Sequence, residues 1–435
     1  MRRRSLLVAG VLLGVVLTAV FVGSAGASGA RIESAPLPHE RDASSRAGWA
    51  AEERSARPRS AISADCLTGT QDSGAKYRIC LPDNAASWNH QLAVYAHGYM
   101  APDRAVEIPE DQMVLPGTGQ RVDDIITGMG YGFAASSYYT NGLAVLPGIS
   151  DLLDVVSVFT ATYGPVDRVL LAGVSEGGLI AALSVERHPE VYDGGMALCG
   201  PYGDFQVQIN HFGDFRIVFD YFFPGVMPGE PLSIPVSLRE NWDTFFADEV
   251  LPIVEDPANA SAVDQLLQVT DVSPYGYAPP VSTESIERLL WYNAFATNDG
   301  VAKLGGQPFD NQDPYRWYTG SDNDTLLNEG VERISGDPVG QAEIEANYQT
   351  SGFLSVPLVT MHTTGDAIVP YRHATLYREK AEARGRQLLH RNIEVEGHGH
   401  CAFSFGNVFE AFGTLISLVD NPPSWVYLPM VARAP

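Results

Sequence analysis

Positive charge is scarce in this chain, and so are cysteine and long apolar runs. Twenty-eight Lys and Arg stand against 52 Asp and Glu in 435 residues, a formal net charge of −24. A surface so acidic repels phosphate backbones and anionic bilayers, which argues against nucleic acid or acidic membrane faces as partners. After residue 22 no stretch reads as long and apolar enough to cross a bilayer, and no repeat occurs at solenoid periods. Charged residues make up only 18% and hydrophobic ones 45%, so the chain is globular material, neither fibrous nor largely disordered. The four cysteines, Cys66, Cys80, Cys199 and Cys401, are few and even in number, which suits an oxidising compartment.

What is present begins with a targeting segment. Arg2-Arg3-Arg4 precedes the apolar run Leu6 to Val22, and small residues follow to Ala27. Basic, apolar and small-residue regions in that order read as a secretory signal peptide over residues 1–27, with an uncleaved anchor as the alternative. Its removal takes away three arginines and no acid, moving the net charge from −24 to −27. Residues 28–60 are rich in Ala, Ser, Arg and Glu and read as a linker with little order.

From residue 61 the pattern alternates. Strands are expected at 77–81, 91–96, 131–136, 168–172 and 195–199, with helices at 122–129, 149–163 and from 178 to about 188. The alternation stops at Gly200-Pro201 and resumes at Pro357 with a strand to His362, a helix around 374–384, a strand at 388–395 and a helix at 403–419. Alternating strands and helices mean an α/β fold with a mostly parallel sheet flanked by helices. One sheet (61–200 and 351–421) interrupted by a mainly helical cap or lid at 201–350 explains the pattern more simply than two tandem domains. Within the insertion, helices are expected near 237–251, 282–296 and 340–348. Residues 422–435 form a tail beyond the last helix.

Gly173-Val174-Ser175-Glu176-Gly177 lies between the apolar run 168–172 and the helix after it. G-x-S-x-G between a strand and a helix is the setting of a nucleophile elbow, where glycines make room for a serine in a strained turn. A serine hydroxyl needs a base, and the base needs an orienting acid. Asp366, in His362-Thr-Thr-Gly-Asp366-Ala-Ile-Val-Pro370, follows the resumed strand and is the acid candidate; an Asx-turn is the structural alternative. After the last strand, Glu396-Gly-His398-Gly-His400-Cys401 offers two bases. His400, leading directly into the final helix, is preferred to His398. A metal site of His398, His400 and Cys401 lacks a fourth ligand. For the oxyanion, the N–H groups of Glu176 and Tyr99 are the expected donors, with Gly98 of His97-Gly98-Tyr99 letting the main chain approach.

Strand-His97-Gly98, Gly173-x-Ser175-x-Gly177, Gly365-Asp366-x-x-Val369-Pro370 and Gly399-His400, in this order, resemble the α/β-hydrolase superfamily. The resemblance covers about residues 75–200 and 350–420. The Gly-Asp-x-x-Val-Pro segment is also similar to prolyl-oligopeptidase-like and to secreted feruloyl-esterase and tannase-like members. The tannase-like pattern places a cysteine before the serine, bridged to one after the histidine; here Val174 stands before Ser175, while Cys401 does follow His400. Four cysteines allow three pairings. Cys66 and Cys80 bracket a Gly-containing turn as a hairpin staple would, and the fold that the resemblance implies puts Cys199 beside Cys401.

The resemblance implies a secreted serine hydrolase acting on carboxylic esters through an acyl-enzyme, with Ser175, Asp366 and His400 as its triad and no metal or organic cofactor. A small-molecule ester is then the partner. An exopeptidase or amidase is the nearest rival, although Arg239, Glu240, Glu284 and Glu287 read as helix-surface charges rather than as an anchor for a chain end. A non-catalytic binding protein on a hydrolase scaffold is the rival from another class. The aromatic-rich start of the insertion, with Phe205, His211, Phe212, Phe215 and Phe219, supplies Phe205 and Phe212 as pocket candidates, joined by His97, Tyr138 and Tyr139. An apolar, aromatic pocket favours acyl or aryl groups over sugars or charged peptides.

Overall fold

Eight strands form a single open sheet in the order β1-β2-β4-β3-β5-β6-β7-β8 in a computed structural model of the chain. The structure describes residues 66–115, 118–272, 281–312 and 316–423, all within one unit spanning Pro58–Pro435. The expected signal peptide (1–27), the linker (28–60) and the tail beyond residue 423 lie outside the described residues. The strands are β1 (Cys66–Thr70), β2 (Lys76–Cys80), β3 (Gln91–Ala96), β4 (Gly132–Ser136), β5 (Arg168–Val174), β6 (Gly194–Leu198), β7 (Leu358–Gly365) and β8 (His390–His398). β1 and β2 form an antiparallel hairpin in which Cys66 faces Cys80, and β2 joins β4 antiparallel. Every pairing from β4 to β8 is parallel.

Parallel neighbours require crossovers, and helices supply them. These are α1 (Val122–Gly128), α2 (Val145–Tyr163) and α3 (Glu176–Arg187). A long helical passage separates β6 from β7, with α4 (Phe205–Phe222), α5 (Val236–Glu240), α6 (Trp242–Phe245), α7 (Leu251–Val254), α8 (Ala260–Val269), α9 (Val281–Leu304), α10 (Asp324–Gly330) and α11 (Pro338–Asn347). α12 (Arg372–Ala383) and α13 (Phe405–Asp420) flank β8. The mostly parallel sheet with a helical insertion between the strand ending near Cys199 and the one starting near Pro357 is as expected.

Three differences from the sequence reading have physical causes. α4 is an 18-residue helix where none is expected. Its many aromatics have middling helix propensity, and tertiary burial of Phe215, Ile217, Val218 and Phe219 offsets that. Asp204 caps it by accepting from the Gln206 and Val207 N–H groups. β1 replaces part of the expected turn, which tightens to residues 71–75. Contrary to expectation, one later helix, α2, is long and apolar enough to cross a membrane by length and composition. Its Leu152, Val155 and Phe159 are instead buried in the core.

The two faces of the sheet are covered unequally. On one face α2, α3 and α12 bury Leu92, Val94, Val169 and Leu171 in a continuous core. On the other, α1 packs on β4 and α13 packs on β6 and β7. The insertion has its own core, in which Phe215, Phe219, Leu266 and Leu290 pack with Ala367, Ile368 and Val369 from the loop after β7. That loop therefore belongs to the sheet by sequence and to the insertion by packing.

Candidate active site

Ser175 sits at the tip of β5 with φ 57° and ψ −122°, a left-handed-side conformation that a serine adopts only under constraint. The constraint is the close approach of strand and helix. A Cβ at Gly173 would lie 1.9 Å from the Gly177 carbonyl oxygen, and one at Gly177 would lie 2.1 Å from that of Ala96. The Ser175 N–H donates to Leu198 O at 2.9 Å, tying the tip of β5 to the tip of β6. The hydroxyl is thus raised above the ends of the parallel strands.

His400 meets it from beyond β8. The His400 Nε2 lies 2.8 Å from Ser175 Oγ, and its Nδ1 lies 2.8 Å from Asp366 Oδ2. An ionised carboxylate only accepts, so Nδ1 carries the proton and Nε2 is left to accept from the serine. Asp366 is buried, and its Oδ1 accepts from the Ile368 and Val369 N–H groups, both at 2.9 Å. Burial alone would raise this carboxyl. The charge of His400, its hydrogen bond and the nearby His362 overcome burial and hold it well below the usual carboxylate range. His398 ends β8, exposed and paired in register with Gly365, away from this relay.

Two residues that sequence reasoning left without a role support the site. His362, on β7 four residues before Asp366, places Nε2 2.7 Å from Val369 O and 3.6 Å from Asp366 Oδ2. Tyr202 Oη lies 3.1 Å from its Nδ1. A histidine and a carboxylate four residues apart were the available signal. Gln112 clamps the loop after β3, its Oε1 accepting from Gly98 N–H at 2.7 Å and its Nε2 donating to Tyr99 O at 3.3 Å. It lies in an irregular loop, and nothing in its sequence context marks it.

That clamp takes up the Gly98 N–H, so Gly98 is not itself a donor to the site. Its contribution is a missing side chain: a Cβ there would lie 3.1 Å from Ser175 Cβ and 3.2 Å from Val174 O. Among the described residues, neither the Tyr99 nor the Glu176 N–H is engaged in a hydrogen bond, so both remain available. The Glu176 side chain turns inward, where Oε1 accepts from Ala144 N–H at 2.8 Å at the start of α2. Its Oε2 is buried without a partner, and burial pushes the carboxyl up to about 8.

An apolar cleft of about 370 Å³ opens at Ser175 and His400. Its walls come from Val122, Ile126 and Met129 at α1 and Val408, Phe409 and Phe412 of α13, with Tyr292 of α9 at the catalytic end. None of the five expected pocket residues lines it. His97 is buried beneath the oxyanion loop and stacked on Tyr138 (ring centroids 4.0 Å apart), and burial lowers its pKa to about 4. Tyr138, wholly buried, donates to His97 O at 3.1 Å. Tyr139 is exposed and Phe205 stacks on Tyr348 inside the core. Phe212 stacks on Tyr292 one layer behind the cleft. The correction has one cause: the strand ends crowd the insertion side, while the open space lies on the thinly covered face of the sheet. Arg239, Glu240, Glu284 and Glu287 do not line the cleft either.

Both disulfides form. Cys66–Cys80 closes the β1–β2 hairpin, and Cys199–Cys401, 202 residues apart in sequence, joins the end of β6 to the residue after His400. Cys199 and Cys401 both have positive φ (45° and 54°), so the bridge spans two constrained turns flanking the base.

Among known proteins, no family model and no curated protein matches the chain. Solved structures resemble it distantly. The rice cell wall degrading esterase LipA from Xanthomonas oryzae gives a TM-score of 0.42 at 14% identity, over 82% of this chain and 89% of that one. Est1E from Butyrivibrio proteoclasticus gives 0.39 at 12% identity, over 82% and 99%. The acylaminoacyl peptidase of Pyrococcus horikoshii gives 0.40 at 10% identity, over 82% of this chain but only 40% of its own.

Two outcomes are expected from this geometry. Replacing Cys199 and Cys401 together by serine lowers stability by about 2–5 kcal/mol in denaturant melts. It also lowers turnover more than it raises KM, because it loosens the turn that presents His400. For Glu176 the folded pKa lies above the ordinary 4.5, so the folded chain holds a proton that the unfolded chain releases. Stability is therefore full below about pH 4.5 and declines as pH rises toward 8. Glu176→Gln removes that decline, and thermal melts from pH 5 to 8 read it as a stabilisation that grows with pH.

Strand order, a strained serine between strand and helix, and the chain order Ser175, Asp366, His400 together are those of an α/β-hydrolase fold.

Proposed function

We propose that this protein is a serine hydrolase exported from the cytoplasm, to the medium or the cell surface, that cleaves carboxylic esters of small molecules. The observation that carries the reading is the unbroken relay from Ser175 Oγ through His400 to Asp366, two contacts of 2.8 Å each. Ser175 attacks the ester carbonyl while His400 Nε2 takes its proton. The N–H groups of Tyr99 and Glu176 receive the negative oxygen of the tetrahedral intermediate. His400 returns the proton to the leaving alkoxide, so an alcohol departs and an acyl-serine remains. Water, activated by the same imidazole, then releases the acid and restores the serine.

Asp366 holds the imidazole in the useful tautomer, and His362 and two backbone N–H groups hold Asp366. The choice of ester over peptide is supported by the lining of the cleft. It carries no Lys or Arg, and its one carboxylate, Asp111, is exposed, so no paired charge is posed to grip a peptide terminus. The insertion acts as a cap, and Tyr99 links it to the oxyanion loop by packing against Trp291 and Tyr292 of α9. Export is supported by two disulfides and by the targeting segment read from the sequence.

Ser175→Ala is expected to abolish hydrolysis of activated esters, by at least about 10⁴-fold in kcat, with the melting transition retained. His400→Ala loses comparable activity and His398→Ala far less. A fluorophosphonate is expected to label Ser175 of the intact protein. No label supports the binding-protein alternative, and faster cleavage of aminoacyl anilides than of aryl esters turns the assignment to a peptidase.

A further inference from the structure

The cleft is larger than the catalytic groups require, and its floor has an unusual property. β5 lies in the middle of an eight-stranded sheet, where side chains on both faces are ordinarily buried. Val169, Leu170 and Leu171 follow that rule, but Ala172 and Val174 remain only half buried. They face the strip over β3 and β5, because α1 covers β4 and α13 covers β6 and β7. With only seven residues, α1 is too short to close the gap.

The lining is chemically uniform. Ala93 of β3 and Ala172 and Val174 of β5 form a floor of small side chains, and Ile126, Met129 and Phe409 stand along the walls. Phe405 and Phe409, stacked on each other, are 40% and 54% exposed at the outer edge, a large apolar surface facing solvent. Gly98, Tyr99, Gln112, Ser175 and His400 bring polar groups together at one end, and exposed Asp111, next to Gln112 in the chain, is the one carboxylate in the lining. An elongated apolar trough that ends at a nucleophile fits one kind of ligand, a hydrocarbon chain whose reactive carbonyl sits at its tip.

We infer that this trough binds the acyl chain of the substrate and that the enzyme prefers esters of linear fatty acids of medium length. The inference rests on the hydrolase reading of Ser175. The chain lies along β5 from Ser175 past Val174 and Ala172 toward Leu170, five residues or about 16 Å of strand. A cavity of about 370 Å³ is far larger than an acetyl group needs. A path of that length suits a chain on the order of ten to twelve carbons. The alcohol then leaves toward the insertion, on the opposite side of His400 from the trough.

The test uses the full chain and p-nitrophenyl esters from acetate to laurate, each below its aggregation concentration. kcat/KM is expected to rise by up to about fourfold per added methylene, the value of burying one, until the trough is filled. Ala172→Phe raises the floor and is expected to cut the laurate-to-acetate ratio at least about tenfold, the loss of two or more buried methylenes. Phe409→Ala, at an exposed wall position that does not endanger folding, lowers the same ratio. Labelling of Ser175 by a dodecyl and an ethyl fluorophosphonate reads the same preference without turnover. If Ser175 is labelled but wild-type rates are flat or fall with chain length, or neither variant changes the ratio, the acyl trough is overturned alone. If no ester is cleaved and Ser175 takes no label, the hydrolase reading falls and the trough with it.

Discussion

The strained turn at Ser175 is the constraint on which the site depends. A serine at φ 57° gains nothing locally from that conformation, so the cost must be met by packing around it. It is met by clearance. Gly173 and Gly177 let α3 press against the ends of β3 and β5 closely enough that any side chain would collide with main-chain carbonyls. The same closeness brings Gly98 to within a missing methyl of Ser175. Ser175 and the loop at Gly98 are therefore positioned by one packing event between backbone segments, rather than by separate side-chain contacts.

Asp366 and His400 are held by longer connections. Asp366 begins the loop Ala367-Ile368-Val369, whose apolar side chains are buried in the core of the insertion. Its carboxylate is consequently locked from both directions, by the sheet through His362 and by the insertion through its own loop. His400 is held by that carboxylate and, one residue on, by the bridge from Cys401 to Cys199. A long excursion of the chain and a covalent cross-link thus meet at the same imidazole.

Unequal coverage of the sheet leaves one face filled and the other open. The face covered by α2, α3 and α12 is filled and serves stability. The face shared by the short α1 and by α13 is incompletely filled, and the gap leads to Ser175. The aromatic residues of the insertion, which the sequence offers most conspicuously as a pocket, are largely committed to its own core.

The sequence by itself determined what depends on local order along the chain. Strands β3, β5 and β6 were legible because short branched apolar runs end at glycine or small polar turns. Ser175, Asp366 and His400 were legible because each follows such a run in a fixed order. The preference for His400 over His398 needed only its place before the last helix. Tertiary structure alone decided what depends on distances between remote segments. Gln112 takes up the Gly98 N–H from 14 residues away, a contact invisible in sequence. His97, Tyr138, Tyr139, Phe205 and Phe212 are apolar or aromatic and lie near the motifs, as pocket residues would. Which of them faces a space rather than a neighbour is set by how helices cover a sheet. α1 is short and α13 lies over β6 and β7, so the space opened between them on that face, over residues whose sequence pattern is that of an ordinary buried strand.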